Sequence, residues 1–429
     1  MVKYIKQTWY YILQDPVVSI VSIIGTALSI FLIMVVIMTI QVKVVPFSPE
    51  SNRGRLMHAN RCNLIYIKSG GEMSSSWAEW SAKELFKELK SPEAVTLYSL
   101  SWETKILSAP GYKGVPSQVR FMGTDAVFWK VFDFKFISGK PYDEAMFKSA
   151  MNVVVISRTI AKRFFAGTDP VGKEVLLGCK PYKVVGVVKE VSSLATSAFA
   201  DIWAPYSALK SANDENPGRP MGDFNVAILA RSSSDFKTIH AEADRRLAIM
   251  NKKMAKDNVR LESYGRPYTQ EEFAFGPKFS NEMIDLRPYK LKVAALLIIL
   301  LLIPAINLSS MTQSRLQRRV SEIGLRRAFG CTRGEIIRNI IAENLAISVV
   351  AGIIGLLFSY VYLFLMANIL FGSFFENFSG TIQLNEIIHI STFIYALLFC
   401  FILNLVSSIV PAIRSSRVSI VSAMGGNNR

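Results

Sequence analysis

Residues Val17 to Ile40 run without a single charged side chain, and that stretch limits what this chain can fold into more than any other. A hydrocarbon core about 30 Å thick is crossed by about 20 mostly apolar residues in a helix. Three further runs reach that length: Val293 to Met311, broken only by Pro304 and Asn307, then Leu345 to Phe371, then His389 to Ile413. With 51% of its 429 residues hydrophobic, the chain reads as an α-helical membrane protein with four transmembrane helices. The first run is longer than a signal-peptide core of about 7 to 15 residues and lacks a small-residue cleavage site after it. Ahead of it, Val2, Ile5, Trp9, Ile12 and Leu13 recur at helical spacing with Lys3 and Lys6 off the stripe. That pattern predicts an interfacial helix over 1–16, entering the membrane after Asp15-Pro16.

Orientation follows from the short loops, where Lys and Arg collect on the cytoplasmic side. Residues 314–346 carry seven arginines against three glutamates, and the tail adds Arg414, Arg417 and Arg429. The segment 372–388 holds two glutamates and no Lys or Arg. Both termini are therefore expected in the cytoplasm, with 43–290 outside. The division predicted is 17–42 (first span), 43–290 (outer domain), 291–312 (second), 313–338 (cytoplasmic hairpin), 339–371 (third), 372–388 (outer loop), 389–413 (fourth) and 414–429 (tail). A formal charge of +16 does not point to nucleic acid, because no basic patch falls on an accessible cytoplasmic domain. Cys62, Cys179, Cys331 and Cys400 have no metal-binding spacing. Cys62 and Cys179 share the outer side, and their pairing stays open.

Within the outer domain, NLIYIKS, SSSWAEWSAKELFKELKSP and AVTLYSLSW read as strand, helix and strand. FNVAILA, SSSDFKTIHAEADRRLAIMNKKM and NVRLESY repeat that order. In both, a serine-rich segment is expected to cap the helix. Two βαβ units predict a ferredoxin-like α/β (α+β) domain with its helices on one face, interrupted by a strand-rich insertion at about 105–223. Gly167 to Lys173 has the spacing of a phosphate-binding loop, yet Glu174 follows where Ser or Thr would hold Mg²⁺. Pro170 also removes an N–H donor. A Pro/Gly turn is the expected structure. His58, His240 and His389 sit in no hydrolase motif, so no catalytic, cofactor or metal site is assigned.

The hairpin carries most of the functional signal. Glu322 and Arg326 are four apart, in the favourable order for a helical pair. Gly330 is placed to end that helix at a left-handed cap. Thr332 and Glu335 have capping-box spacing for a new one. A basic loop that merely grips lipid explains the charges but not the two capping signals. On the first span, Ser22, Gly25, Thr26 and Ser29 form a face of small residues, for packing within the subunit or against a second one.

The stretch EIGLRRAFGCTRGEI closely resembles the signature of the MacB/FtsX-like ABC transporter permeases. The insertion adds MGTD at 122–125, read as a turn, then FISGKPY, VVISRTIAKRFF with TDPVGKEV, GVV and IWAPY, in the family's order. The tail PAIRSSRVSIVSAMGG is also similar. Phe329 stands where Leu is usual and Cys331 where Ala is usual. The resemblance implies that Glu322, Gly324, Arg326, Arg327, Gly330, Thr332 and Arg333 couple the chain to a cytoplasmic ABC ATPase. ATP and Mg²⁺ would then sit on that separate subunit, and none in this chain. It further implies a second permease (homodimer or paralogous heterodimer), a bacterial inner membrane and export driven by mechanotransmission, and it leaves a periplasmic adaptor open. A regulator of cell-wall hydrolases is the alternative role.

Overall fold

The computed structural model describes residues 16–100, 105–112, 114–209, 219–277, 282–318 and 320–371, with positions 394, 395, 398, 402 and 413. The expected interfacial helix, the outer loop 372–388, the tail and most of the fourth span lie outside the described residues. The chain divides into a helical unit and an outer unit covering Lys43–Leu286.

The described helical unit holds three long helices, Pro16–Val44, Arg287–Arg318 and Arg333–Phe371, and the shorter Val320–Ala328. Among the described residues, two segments are long and apolar enough to cross a membrane, Ser19–Val44 and Arg333–Met366. Arg287–Arg318 is helical throughout the second expected run, Pro304 and Asn307 included. Described positions 394, 395, 398, 402 and 413 are helical too. The first and last of these long helices pack closely. A Cβ at Gly355 would stand 2.6 Å from the Ala27 carbonyl oxygen and 3.0 Å from Ile30, so only glycine allows this approach. Phe31 and Tyr362 meet edge to face at 5.4 Å. Ser22, Thr26 and Ser29 are at most 3% exposed, so one chain alone already covers that face. The Ser29 hydroxyl donates to the Gly25 carbonyl at 3.0 Å.

In the outer unit, four strands reproduce the expected split βαβ arrangement. Their order is Val259–Glu262, then Leu56–Ala59 with Cys62–Tyr66, then Phe224–Leu229, then Ala94–Leu100, each neighbour antiparallel. Alternation sends Val226 and Ile228 to the face where Leu85, Phe86, Ile239 and Met250 pack in one buried cluster. Each such side chain contributes about 1.5–3 kcal/mol. The second helix, Phe236–Met254, follows the serine-rich cap expected for it, with Ser232 and Asp235 forming a reciprocal capping box.

The first serine-rich segment behaves differently. Glu72–Trp77 is a strand, paired antiparallel with Cys62–Tyr66 in the register Cys62↔Ser75. The turn at Ser69-Gly70-Gly71 returns the chain into a hairpin before any helix can start. The helix begins only at Glu79 and continues as a wide π-type turn over Lys83–Lys87.

The insertion builds its own core around Val154, Ile156, Ile160, Phe164, Val175, Val184 and Ile202. Its strand Phe121–Thr124 pairs with Ala94–Leu100, so one sheet runs through both lobes. The MGTD segment is therefore mostly strand, and only Asp125 turns. That carboxylate accepts from Thr96 Oγ1 at 2.6 Å, Phe128 N–H at 3.0 Å and Lys87 Nζ at 2.6 Å. A second buried joint links the start of the domain to the insertion. Arg53 and Glu50 are each 1% exposed and bonded at 2.7 Å. Arg53 also donates to the Leu194 carbonyl at 2.7 Å and the Val45 carbonyl at 3.2 Å. Glu50 accepts the Ser197 N–H at 2.8 Å.

Cys62 and Cys179 are free thiols. Cys62 lies in the ferredoxin-like core, where burial pushes its thiol up to about 12. Cys179 is exposed at the tip of the hairpin between Glu174–Leu177 and Lys180–Val188.

Candidate coupling site

Helix Val320–Ala328 and helix Arg333–Phe371 meet in a tight turn. Glu322 accepts from Arg326 Nη2 at 2.6 Å, one turn along the first helix. That helix ends in a complete Schellman motif. The Cys331 N–H donates to the Arg326 carbonyl at 3.0 Å and the Gly330 N–H to the Arg327 carbonyl at 3.1 Å. Gly330 takes φ +94°, a conformation closed to most side chains. The next helix is capped at once. Thr332 donates its N–H and Oγ1 to Glu335 at 2.9 and 3.0 Å, and Glu335 N–H returns a bond to Thr332 Oγ1 at 3.3 Å. The bond from the Thr332 N–H holds the Glu335 carboxyl below its ordinary range. Ile323, Cys331, Ile337, Ile336 and Ile340 close the hairpin from inside, and Gly324 is buried.

The outward side of the tip is both cationic and apolar. Arg333 is exposed, and Arg326 and Arg327 are half-buried. Phe329 is 85% exposed and Leu325, one turn earlier, 48%. Motif reading singled out the polar and glycine residues and passed over this apolar pair. The available signal was an aromatic residue directly before a predicted left-handed cap.

Among the described residues, no competing chemistry gathers elsewhere. At Gly167–Lys173 four backbone donors are taken up within the protein: Thr168 N–H by the Phe165 carbonyl, Val171 N–H by Asp169, Gly172 N–H by the Val184 carbonyl and Lys173 N–H by the Pro170 carbonyl. Lys173 Nζ donates to Thr168 Oγ1 at 2.6 Å, and a strand follows, not a helix. His58 is fully buried against Gln270 and Phe273, and burial lowers it to about 4. Among the described residues no His, Cys, Asp and Glu group could hold a metal ion.

Residues 19–246 match the MacB-like periplasmic core domain, more than half the chain, and residues 294–420 match the FtsX-like permease C-terminal domain. The chain belongs to the MacB/FtsX-like ABC transporter permease family. This permease is 24% identical over 308 residues to the uncharacterized ABC transporter permease YknZ of Bacillus subtilis, covering 70% of the chain and 72% of YknZ. It is 25% identical over 275 residues to the macrolide export ATP-binding/permease protein MacB of Acinetobacter baylyi, covering 63% of the chain but only 38% of that longer protein. Among solved structures, the YknZ extracellular domain aligns over 47% of the chain and all of its own length, at 20% identity and TM-score 0.34. The periplasmic region of MacB from Actinobacillus actinomycetemcomitans aligns over 48% of the chain and 90% of its own length, at 18% identity and TM-score 0.34.

Proposed function

We propose that this permease couples ATP hydrolysis on a separate cytoplasmic ABC ATPase to movement of its outer domain, extruding a peptide, lipoprotein or amphipathic toxin. The observation that carries this reading is the doubly capped, tightly closed hairpin, whose tip joins the unbroken helix Arg333–Phe371. A rigid tip on a long helix is what a mechanical input needs. ATP and Mg²⁺ belong on the partner in this reading, because four N–H groups of the chain's one phosphate-loop spacing are already bonded within the protein. The working assembly has two permease copies, identical or paralogous, in a bacterial inner membrane. Both termini are cytoplasmic, and an adaptor is available on the periplasmic side. The MacB relatives carry macrolide export in their names, which suits an amphipathic cargo. A regulator of cell-wall hydrolases would need a recognition face, not the second hydrophobic core that the insertion builds.

The test is recovery of the ATPase by wild-type and Arg327→Glu permease, with membrane insertion as control. Reversal of an interfacial charge costs about 2–5 kcal/mol, a loss of roughly 30-fold to a few thousand-fold in affinity. Equal recovery with equal stimulation of ATP hydrolysis would sink the coupling role.

A further inference from the structure

We infer that Arg266 and Arg61, with the Ser74 hydroxyl, form a site on the outer domain for a phosphate group. The inference stands apart from any docking of the hairpin, since all three residues belong to the outer unit. Arg266 is 4% exposed, and buried charges are ordinarily paired. Both bonds of its side chain leave from Nη1, to Asn63 Oδ1 at 3.3 Å and the Ser263 carbonyl at 2.9 Å, and both acceptors are neutral. Its guanidinium lies 4.9 Å from the Tyr268 ring centroid. Among the described residues no carboxylate pairs with it, and Nε and Nη2 are left over. The charged group beside it is a second cation. Asn63 stands opposite Ser74 across the sheet, and Ser74 Oγ accepts from Arg61 Nε at 2.9 Å. Burial above all, with the like charge of Arg61 adding to it, pulls Arg266 below its ordinary range. The carboxylates around them are bound to other groups. Glu72 accepts from Asn63 Nδ2 at 3.0 Å and Tyr264 at 2.9 Å, Glu262 pairs with Arg260 at 3.4 Å, and Glu272 accepts the Thr269 N–H at 2.8 Å.

Phosphate suits this arrangement better than carboxylate. Two guanidiniums and a hydroxyl on separate segments call for more acceptors than two coplanar oxygens, and a phosphate group presents three. Ser74 Oγ, which accepts from Arg61, keeps its own O–H to donate. The site also lies near the end of the first long helix. Gln270 Nε2 donates to the Lys43 carbonyl at 2.9 Å, and the chain from Arg266 to Gln270 spans at most about 14 Å. A lipid headgroup or a phosphate in solution supplies the same group there.

The experiment uses full-length permease in maltoside micelles, which contain no phosphate, and reads the urea midpoint by pulse proteolysis. Millimolar inorganic phosphate, with ionic strength held by chloride, should raise the wild-type midpoint, because a ligand of the native state stabilises it. The readout is the rise and not the starting value, so a variant that is itself less stable still answers. Arg266→Met and Arg61→Met should each need at least about tenfold more phosphate for the same rise, and Arg266→Lys, with the charge but not the fork, should fall between. An equal rise in wild type and both Met variants would make the arginines structural only and overturn the site, as would no rise in wild type. An equal rise with acetate would overturn phosphate as its ligand. Native mass spectrometry after adding phosphatidylglycerol separates the sources. Lipid retained by wild type and lost from Arg61→Met would support the site with a headgroup as its occupant. Equal retention, with the phosphate response intact, would support it with a soluble phosphate instead.

Discussion

Replacing Arg53 by Met should destabilise the outer domain far more than its place in a short connecting segment suggests. The guanidinium is 1% exposed, pairs with an equally buried Glu50 and satisfies the carbonyls of Leu194 and Val45. It also lies 4.1 Å from the Phe47 ring centroid. Methionine fills the space of the aliphatic stem but leaves the Glu50 carboxylate buried, with the Ser197 N–H as its remaining partner of those above. Breaking a buried pair from one side costs about 3–5 kcal/mol, a large part of the about 5–15 kcal/mol that holds a domain. Neutralising the stranded carboxylate as well, in Glu50→Gln with Arg53→Met, should recover about 1–3 kcal/mol, the desolvation cost of an unsatisfied buried group. The assay is pulse proteolysis of the full-length protein along a urea gradient. At a slope near 3 kcal/mol per molar, the single variant should lose about 1–2 M at the midpoint. Equal losses in the single and double variants would show that stranded charge is not the cause. A shift under about 0.3 M would refute the buried joint altogether.

Two further outcomes are expected. His58 is depressed from 6.5 to about 4 by burial, so the unfolded chain takes up its proton first. The contribution to stability is whole above about pH 6.5 and is lost as pH falls to 4, amounting to about 3 kcal/mol. His58→Gln should therefore flatten the fall in urea midpoint between pH 6.5 and 4, and an unchanged slope would remove His58 as its source. Lys173→Ala should leave nucleotide binding and ATP-driven activity at wild-type levels in filter-binding and hydrolysis assays; a large loss would revive the phosphate loop.

Periodicity made the described long helices legible, along with the strands of the two βαβ units and both caps at the tip. These depend on local rules: alternation in Phe224–Leu229, a glycine where φ must be positive at Gly330, and a Thr/Glu pair three apart. The misreadings have a common origin in long-range partners. EMSSSW looks like a cap until Cys62–Tyr66 is available to pair with it. MGTD looks like a turn until Ala94–Leu100 lies alongside. Arg53 gives no local sign that its acceptor is Leu194, 141 residues away. Exposure is equally non-local, which is why the signature identified Arg326 and Arg327 but not Phe329. The small face of the first span was visible as composition, whereas the close approach of Gly355 to Ala27 and Ile30 required the packed helices.

The position of the insertion has a consequence for how the chain can be made. Phe224–Leu229 is the strand that lies between Leu56–Ala59 and Ala94–Leu100 and bonds to both. Those two strands leave the ribosome well before it. At about 5–20 residues per second, the gap from 100 to 229 lasts roughly 6 to 26 s. Throughout that interval the early strands have open edges in the translocated space, whereas the inserted lobe completes its own sequence-continuous core meanwhile. The lobe is therefore expected to fold first and to cover one of those edges through Phe121–Thr124, acting as a scaffold during biogenesis while the ferredoxin-like sheet waits for its central strand.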